Sequence, residues 1–307
     1  MDTFIQQIIN GLVLGSIYAL VALGYTMVYG ILGLINFAHG EVVMIGALTA
    51  LTVIKLLADS GLPGTVVVLI GLLAAVPVCM ALGFTIERIA YRPLRNAPRL
   101  APLITAIGVS IVLQQLAMIF WGRNYHAFPP ILPTSSREIG GAHITDVQIV
   151  IVLLAAATMA GLMLLVNRTR LGCAMRATAE NPQIAGLMGV NINVIISATF
   201  LIGSALAAVA GVMVSANYSI AHYHMGFILG LKAFTAAVLG GIGNLPGAML
   251  GGVLLGLIES LGAGYIGDLT GGFPGSHYQD VFAFFVLILV LVFRPSGLMG
   301  EKVAERA

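Results

Sequence analysis

The stretch INFAHGEVVMIGA (35–47) places an amide, an imidazole and a carboxylate between two apolar runs, ILGLI (31–35) and VVMIGALTALTVI (42–54). Such apolar runs recur along the whole chain. Of its 307 residues, 59% are hydrophobic and only 8% charged, where a soluble domain carries about 25% charged residues. The chain therefore reads as a polytopic membrane protein. Its net charge of +2 and scattered basic residues offer no stripe for nucleic acid. Cys79 and Cys173 fall in different segments, one in a span and one in a basic loop, and imply no disulfide framework. The opening MDTFIQQ lacks a basic region ahead of its apolar run, so that run is expected to be a retained first helix.

Crossing a bilayer takes about 20 apolar residues. Such windows fall near 8–29, 38–58, 65–86, 101–121, 146–166, 194–216, 227–240, 247–262 and 278–293. The seventh and eighth are short and flank a glycine-rich turn, LGGIGNLPGA (239–248), so they form either two tilted helices or a re-entrant pair. The reading is an all-α transmembrane bundle of eight or nine spans in one domain over 1–307. In lipid the backbone must satisfy its own hydrogen bonds, and no alternating barrel strands are visible. Orientation follows from short-loop Lys and Arg. Residues 87–99 carry Arg88, Arg92, Arg95 and Arg99, residues 167–193 carry Arg168, Arg170 and Arg176, and the tail carries Arg294, Lys302 and Arg306. These segments are expected in the cytoplasm. The loop 122–145, with Arg123, Arg137 and PPILP, is expected outside. An outer N-terminus and an inner C-terminus need an odd count, which favours nine.

Asn36 reads as the N-cap of a helix starting near Phe37, with Glu41 in its first turn, where a carboxylate suits the helix dipole. This places the segment at the cytoplasmic end of the second span. The other reading is that Asn36, His39 and Glu41 line a polar cavity or gate on a translocation path, because intramembrane ionisable groups usually face a bundle interior. His39 has no second metal ligand at i+3 or i+4. Lys232 precedes Asn244 by 12 residues and Glu259 follows it by 15. A rise of 1.5 Å per residue puts them ~18 Å and ~22 Å from the same turn, at depths where an ion pair is expected rather than a substrate contact. Small residues recur every fourth position at Gly203, Ala207, Gly211 and Ser215, and at Ala248, Gly252, Gly256, Ser260 and Gly264. They serve either packing within the bundle or a face for a second, homologous subunit. Pro77 is expected to kink the third span.

The inner segment 167–193, NRTRLGCAMRATAENPQIAGLMGVNIN, has apolar residues at helical spacing on both sides of Asn181-Pro182. Two short amphipathic helices are expected, in need of a partner surface. The chain carries no phosphate-binding loop, Ser-His-Asp set, CxxC or HExxH. An enzyme is not indicated, and energy for active transport must come from an ion gradient or another polypeptide.

Five segments resemble a known family: GSIYALVALGYTMVYGILGLINFAHGEVVMIGA (15–47), IERIAYRPLR (86–95), MRATAENPQIAGLMGVN (175–191), KAFTAAVLGGIGNLPGAMLGG (232–252) and FRPSGLMG (293–300). They are similar to the H-type permease subunit of high-affinity branched-chain amino-acid ABC importers, over nearly the whole chain. The resemblance implies a multi-pass protein of the bacterial inner membrane, working with a second homologous permease, two cytoplasmic ATPases and a periplasmic binding protein. It implies no cofactor of its own, ATP being bound by the partners. It also makes 175–191 the element that docks on an ATPase, with Arg176, Glu180 and Asn181 as polar contacts. The same superfamily moves urea, short amides and sugars, so these substrates remain alternatives. An ion-coupled secondary transporter with His39 and Glu41 as relay is the other class. It would call for two related halves and a charged pathway, and neither stands out in this sequence.

Overall fold

A computed structural model describes residues 2–95, 97–98, 100–129, 135–139, 141–269 and 279–300. Arg99, Lys302, Arg306 and most of PPILP lie outside the described residues.

The apolar windows fold as helices α1 (Asp2–Leu32), α2 (His39–Leu56), α3 (Gly64–Ile86), α4 (Leu100–Trp121) and α5 (Asp146–Arg168). After the short α6 (Arg170–Glu180) and α7 (Pro182–Leu187) come α8 (Ile192–Tyr218), α9 (Met225–Gly240), α10 (Leu245–Leu269) and α11 (Gln279–Phe293). Among the described residues seven helices are long and apolar enough to cross a membrane, and α9 and α11 are shorter apolar helices. Together they match the nine expected windows. The end bearing α6 and α7 is called inner here, following the arginine distribution.

Burial sorts the helices into two layers. α1, α2 and α8 are mostly buried, while α3, α4 and α5 expose most of their apolar surface. The most apolar helices thus lie outermost, the order expected where the solvent is hydrocarbon. α3 runs through Pro77 and continues as a π-helical turn, Glu87–Tyr91. The outer loop adds two small antiparallel ladders that periodicity did not anticipate. β1 (His126–Ala127) pairs with β4 (Ile220–Ala221), and β2 (Ser136–Ile139) with β3 (Ala142–Thr145). Gln6 fixes the second ladder to α1, donating to His143 O at 3.0 Å and accepting from His143 N at 2.8 Å.

Both small-residue lines are used inside this chain. A Cβ added at Gly252 would lie 2.5 Å from Ala19 Cα, and one at Gly256 would lie 2.2 Å from Gly15 N, so α10 packs backbone to backbone on α1. A Cβ at Gly211 would meet Val43 O at 2.3 Å, which seats α8 on α2 in the same way. The alternative that one of these faces is reserved for a second permease is corrected accordingly. Close approach supplies the van der Waals contact that a hydrophobic drive would supply in water.

The segment FRPSGLMG folds back over the turn after α9. Leu298 N and Met299 N donate to Leu239 O and Gly240 O, both at 2.9 Å, and Asn244 Nδ2 donates to Met299 O at 2.9 Å. Two carbonyls left over at the end of α9 are thereby satisfied. Gly241 and Gly297, at φ 108° and 74°, meet there at a distance only glycines allow.

Candidate functional site

The segment 35–41 does not lie at the inner surface. His39 fills a notch in α1, where a Cβ on Gly24 would fall 2.1 Å from its Nε2. Gly24 is eight residues short of the end of α1 at Leu32, or ~12 Å deep. Gly203, also beside His39, is eleven residues into α8, or ~16 Å. The expectation of a cytoplasmic helix end is therefore corrected: after Leu32 the chain turns back into the bundle, and α2 begins well below the inner surface. Helix α9 begins beside it. A Cβ on Gly40 would lie 2.4 Å from Gly226 O, and one on Gly226 would lie 2.8 Å from Glu41 Oε2. Two helix N-termini, each with its partial positive charge, thus meet inside the bundle with the Glu41 carboxylate between them.

Asn36, His39 and Glu41 are all buried, but they point to three different neighbours. Asn36 precedes the helix start by more than expected. The N-cap position is Ala38, and Asn36 Oδ1 accepts from Ala38 N and from the Tyr91 hydroxyl, each at 3.2 Å. It caps the turn before α2 rather than α2 itself. His39 packs edge-on against Tyr25, with ring centroids 5.0 Å apart. Glu41 Oε1 accepts from Gln114 Nε2 at 2.7 Å and Ser110 Oγ at 3.0 Å, both on α4. Glu41 Oε2 and His39 Nε2 have no hydrogen-bond partner among the described residues.

Lys232 and Glu259 do meet. Lys232 Nζ lies 2.6 Å from Glu259 Oε1 and 2.6 Å from Asp280 Oδ1 at the start of α11, and Tyr18 OH donates to Glu259 Oε1 at 3.1 Å. Glu259 is fully buried and Asp280 half exposed.

In the inner segment α6 buries Gly172, Met175 and Thr178 against the bundle. Asn181 separates the helices and caps α7, its Oδ1 accepting from Ile184 N at 3.0 Å. Arg176 reaches back to donate to Val166 O at the end of α5, whereas Glu180 is exposed. Ile184, Leu187 and Met188 stand 58%, 87% and 80% exposed and give the short inner helices an apolar outer face.

Sequence reasoning passed over Ser110 and Gln114, although two polar residues one turn apart in GVSIVLQQLAM (108–118) were a visible signal. It also counted Glu87 as loop. Glu87 is fully buried, paired with Arg95 and accepting from Ser197 Oγ at 2.8 Å.

These features define a helical membrane bundle whose interior charges are each held by partners on other helices, with an amphipathic element on its inner side. A family model described as the permease component of branched-chain amino acid transport systems matches residues 7–291. The chain belongs to that family. It is 49% identical to the high-affinity branched-chain amino acid transport system permease protein BraD of Pseudomonas aeruginosa, covering 99% of this chain and 98% of that protein. It is 44% identical to the corresponding LivH protein of Escherichia coli K12, over 99% and 97% of the two lengths. A probable branched-chain amino acid permease of Methanocaldococcus jannaschii is 29% identical, over 96% and 92%.

Proposed function

We propose that this chain is a transmembrane permease subunit of an ABC importer for branched-chain amino acids in the bacterial inner membrane. It acts with a second homologous permease, two cytoplasmic ATPases and a periplasmic binding protein. The observation that carries the reading is the 49% identity that runs over nearly the full length of both chains. In this reading α6 and α7 carry the force of ATP hydrolysis into the bundle. The exposed Ile184, Leu187 and Met188 supply an apolar key for a groove on the ATPase, with Glu180 and Asn181 beside it. Arg176, tied to Val166 O, couples movement of that key to α5. Glu41, lodged between the starts of α2 and α9, borders the translocation path.

Uptake of labelled leucine by cells with and without the ATPases, competed with isoleucine, valine, urea and short amides, tests the assignment. Leucine uptake that needs the ATPases and yields to isoleucine and valine but not urea supports it. Uptake that persists without the ATPases and follows a proton gradient overturns it. Replacing Ile184, Leu187 and Met188 with serine should leave the permease folded, because these side chains are 58%, 87% and 80% exposed. ATP hydrolysis in the complex should then lose its stimulation by loaded binding protein, as read by phosphate release.

A further inference from the structure

At the inner end of the bundle, α1, α5, α6 and the turn leading into α10 enclose a cavity of about 90 Å³. A single water needs roughly 10–15 Å³, so the space takes more than one solvent molecule. Met27, Ile31, Val166, Met175 and Leu245 give it an apolar wall. Two polar side chains, Thr26 and Arg176, line it as well. Thr26 is 1% exposed and six residues short of the end of α1 at Leu32, or ~9 Å deep. A threonine inside a helix commonly turns its hydroxyl onto the carbonyl one turn back, as Thr199 and Thr235 do here at 2.9 and 3.0 Å. Thr26 does not. Its Oγ1 has no hydrogen-bond partner among the described residues, which leaves a buried hydroxyl unmet on the cavity wall.

Arg176 adds a cation to the same wall. Its Nη1 donates to Val166 O, and a guanidinium has further N–H groups to offer. Arg176, Ala179 and Gly243 are the exposed members of the lining and belong to α6 and the inner turn, so the cavity opens toward the cytoplasmic side. A guanidinium and a free hydroxyl both suit the oxygens of a carboxylate, and the apolar wall suits a short aliphatic chain. Among the described residues no carboxylate lines the cavity. An ammonium group would therefore enter it unpaired, at a cost. The chemistry selects an aliphatic acid and disfavours the amino acid that carries the same chain.

We propose that this cavity is a cytoplasmic-side binding site for a short aliphatic monocarboxylate that lacks an ammonium group. Its consequence for transport rests on the reading above. A ligand gripped by Thr26 of α1 and Arg176 of α6 ties the coupling element to the bundle and slows the cycle from the inside.

The test titrates the assembled importer, in nanodiscs of neutral phosphatidylcholine, with tritiated 4-methylpentanoate and reads bound ligand by scintillation proximity. Saturable binding is expected, with leucine competing at least about tenfold less well, the effect of leaving a charged group unpaired. Thr26→Val keeps the shape and removes the hydroxyl. It should weaken binding about tenfold without lowering the melting temperature of the complex, since that hydroxyl has no partner to lose. Ala179→Trp, which fills the opening, should abolish binding in a complex that still assembles by gel filtration. No saturable binding, equal competition by leucine, or unchanged binding in Thr26→Val overturns the site. Discs containing phosphatidylglycerol separate two sources of the anion. Binding that persists there supports a free acid, whereas binding that vanishes gives the cavity to a lipid headgroup and overturns the proposal. Leucine uptake into proteoliposomes preloaded with 4-methylpentanoate tests the consequence, and it should fall several-fold in wild type but not in Thr26→Val. Binding without any fall in uptake overturns the regulatory role and leaves the site. Absence of leucine uptake without the acid, with all partners present, removes the transport reading instead.

Discussion

Glu259 and Glu41 are both carboxylates buried in the bundle, and they are held in opposite ways. Glu259 has the Lys232 ammonium at 2.6 Å and the Tyr18 hydroxyl at 3.1 Å. Glu41 has only neutral donors, Gln114 and Ser110, and among the described residues no lysine or arginine pairs with it. Its other support comes from two helix N-termini. A full counter-ion at contact distance fixes a carboxylate strongly and suits a structural tie among α1, α9, α10 and α11. Dipoles and hydroxyl groups hold it more weakly and can be exchanged for other partners, which suits a place where something passes.

The largest effect separating the two is expected at Lys232. Lys232→Met takes the ammonium from a fully buried carboxylate, a loss of roughly 3–5 kcal/mol for a broken buried pair. Glu259→Gln should cost less, because Lys232 keeps Asp280 at 2.6 Å. Folded yield in membranes, read by fluorescence gel filtration, should rank wild type above Glu259→Gln and that above Lys232→Met. The double variant Lys232→Met/Glu259→Gln should recover part of the loss. A charge swap should recover less, since a glutamate at 232 would face Asp280. Equal loss in both single variants would break the asymmetry. Arg95→Met tests a third carboxylate, Glu87, with loss in the same direction and smaller, because the Arg95 side chain is 17% exposed against 8% for Lys232 and the pair is closer to solvent.

A middle-sized effect is expected where α2 meets α9. Gly40→Ala would set its Cβ 2.4 Å from Gly226 O. Backbone must move to admit it, at a cost of about 1–3 kcal/mol by analogy with overpacked cores. The loss should appear as lowered thermal stability of the permease complex, with Gly33→Ala, where nothing lies within 4 Å but φ is +63°, as a control for backbone strain alone. Stability unchanged in Gly40→Ala would mean that the two helix starts are not locked together.

The sequence made the helices legible because each carries its own apolar run, and the Lys232–Glu259 distance because helical rise is fixed. It did not reveal the depth of 35–41. Asn36 looked like an N-cap because capping residues have a local signature, whereas depth is set by His39 fitting against Gly24, a contact between residues on different helices. The small-residue lines were visible as packing faces, but which helix each one meets depends on tertiary pairing, α10 with α1 and α8 with α2. Ser110 and Gln114 escaped notice because a lone polar pair in an apolar helix gains meaning only once Glu41 is found opposite. The outer ladders escaped because strands of two and four residues leave no periodicity to read.

The smallest stability effect, and the most informative one, is expected at Glu41. Glu41→Gln keeps an oxygen to accept from Gln114 and Ser110 and loses only the charge between the two helix starts. Its stability cost should be about 0.3–1 kcal/mol, the worth of a carboxylate at a helix N-terminus. If Glu41 merely serves the helix dipoles, transport per assembled complex should stay near wild type. If it borders the path, the rate should change while complex assembly and docking of the binding protein remain normal. Cysteines at 36, 39 and 41 give a second reading of the same question in a background lacking Cys79 and Cys173. All three native side chains are buried and point to different neighbours, so a membrane-impermeant thiol reagent should reach none of them at rest. Labelling at 41 that appears only in one nucleotide state would show the α2–α9 contact opening during the cycle. No labelling at 41 in any state, together with an unchanged rate in Glu41→Gln, would reduce Glu41 to a structural group like Glu259.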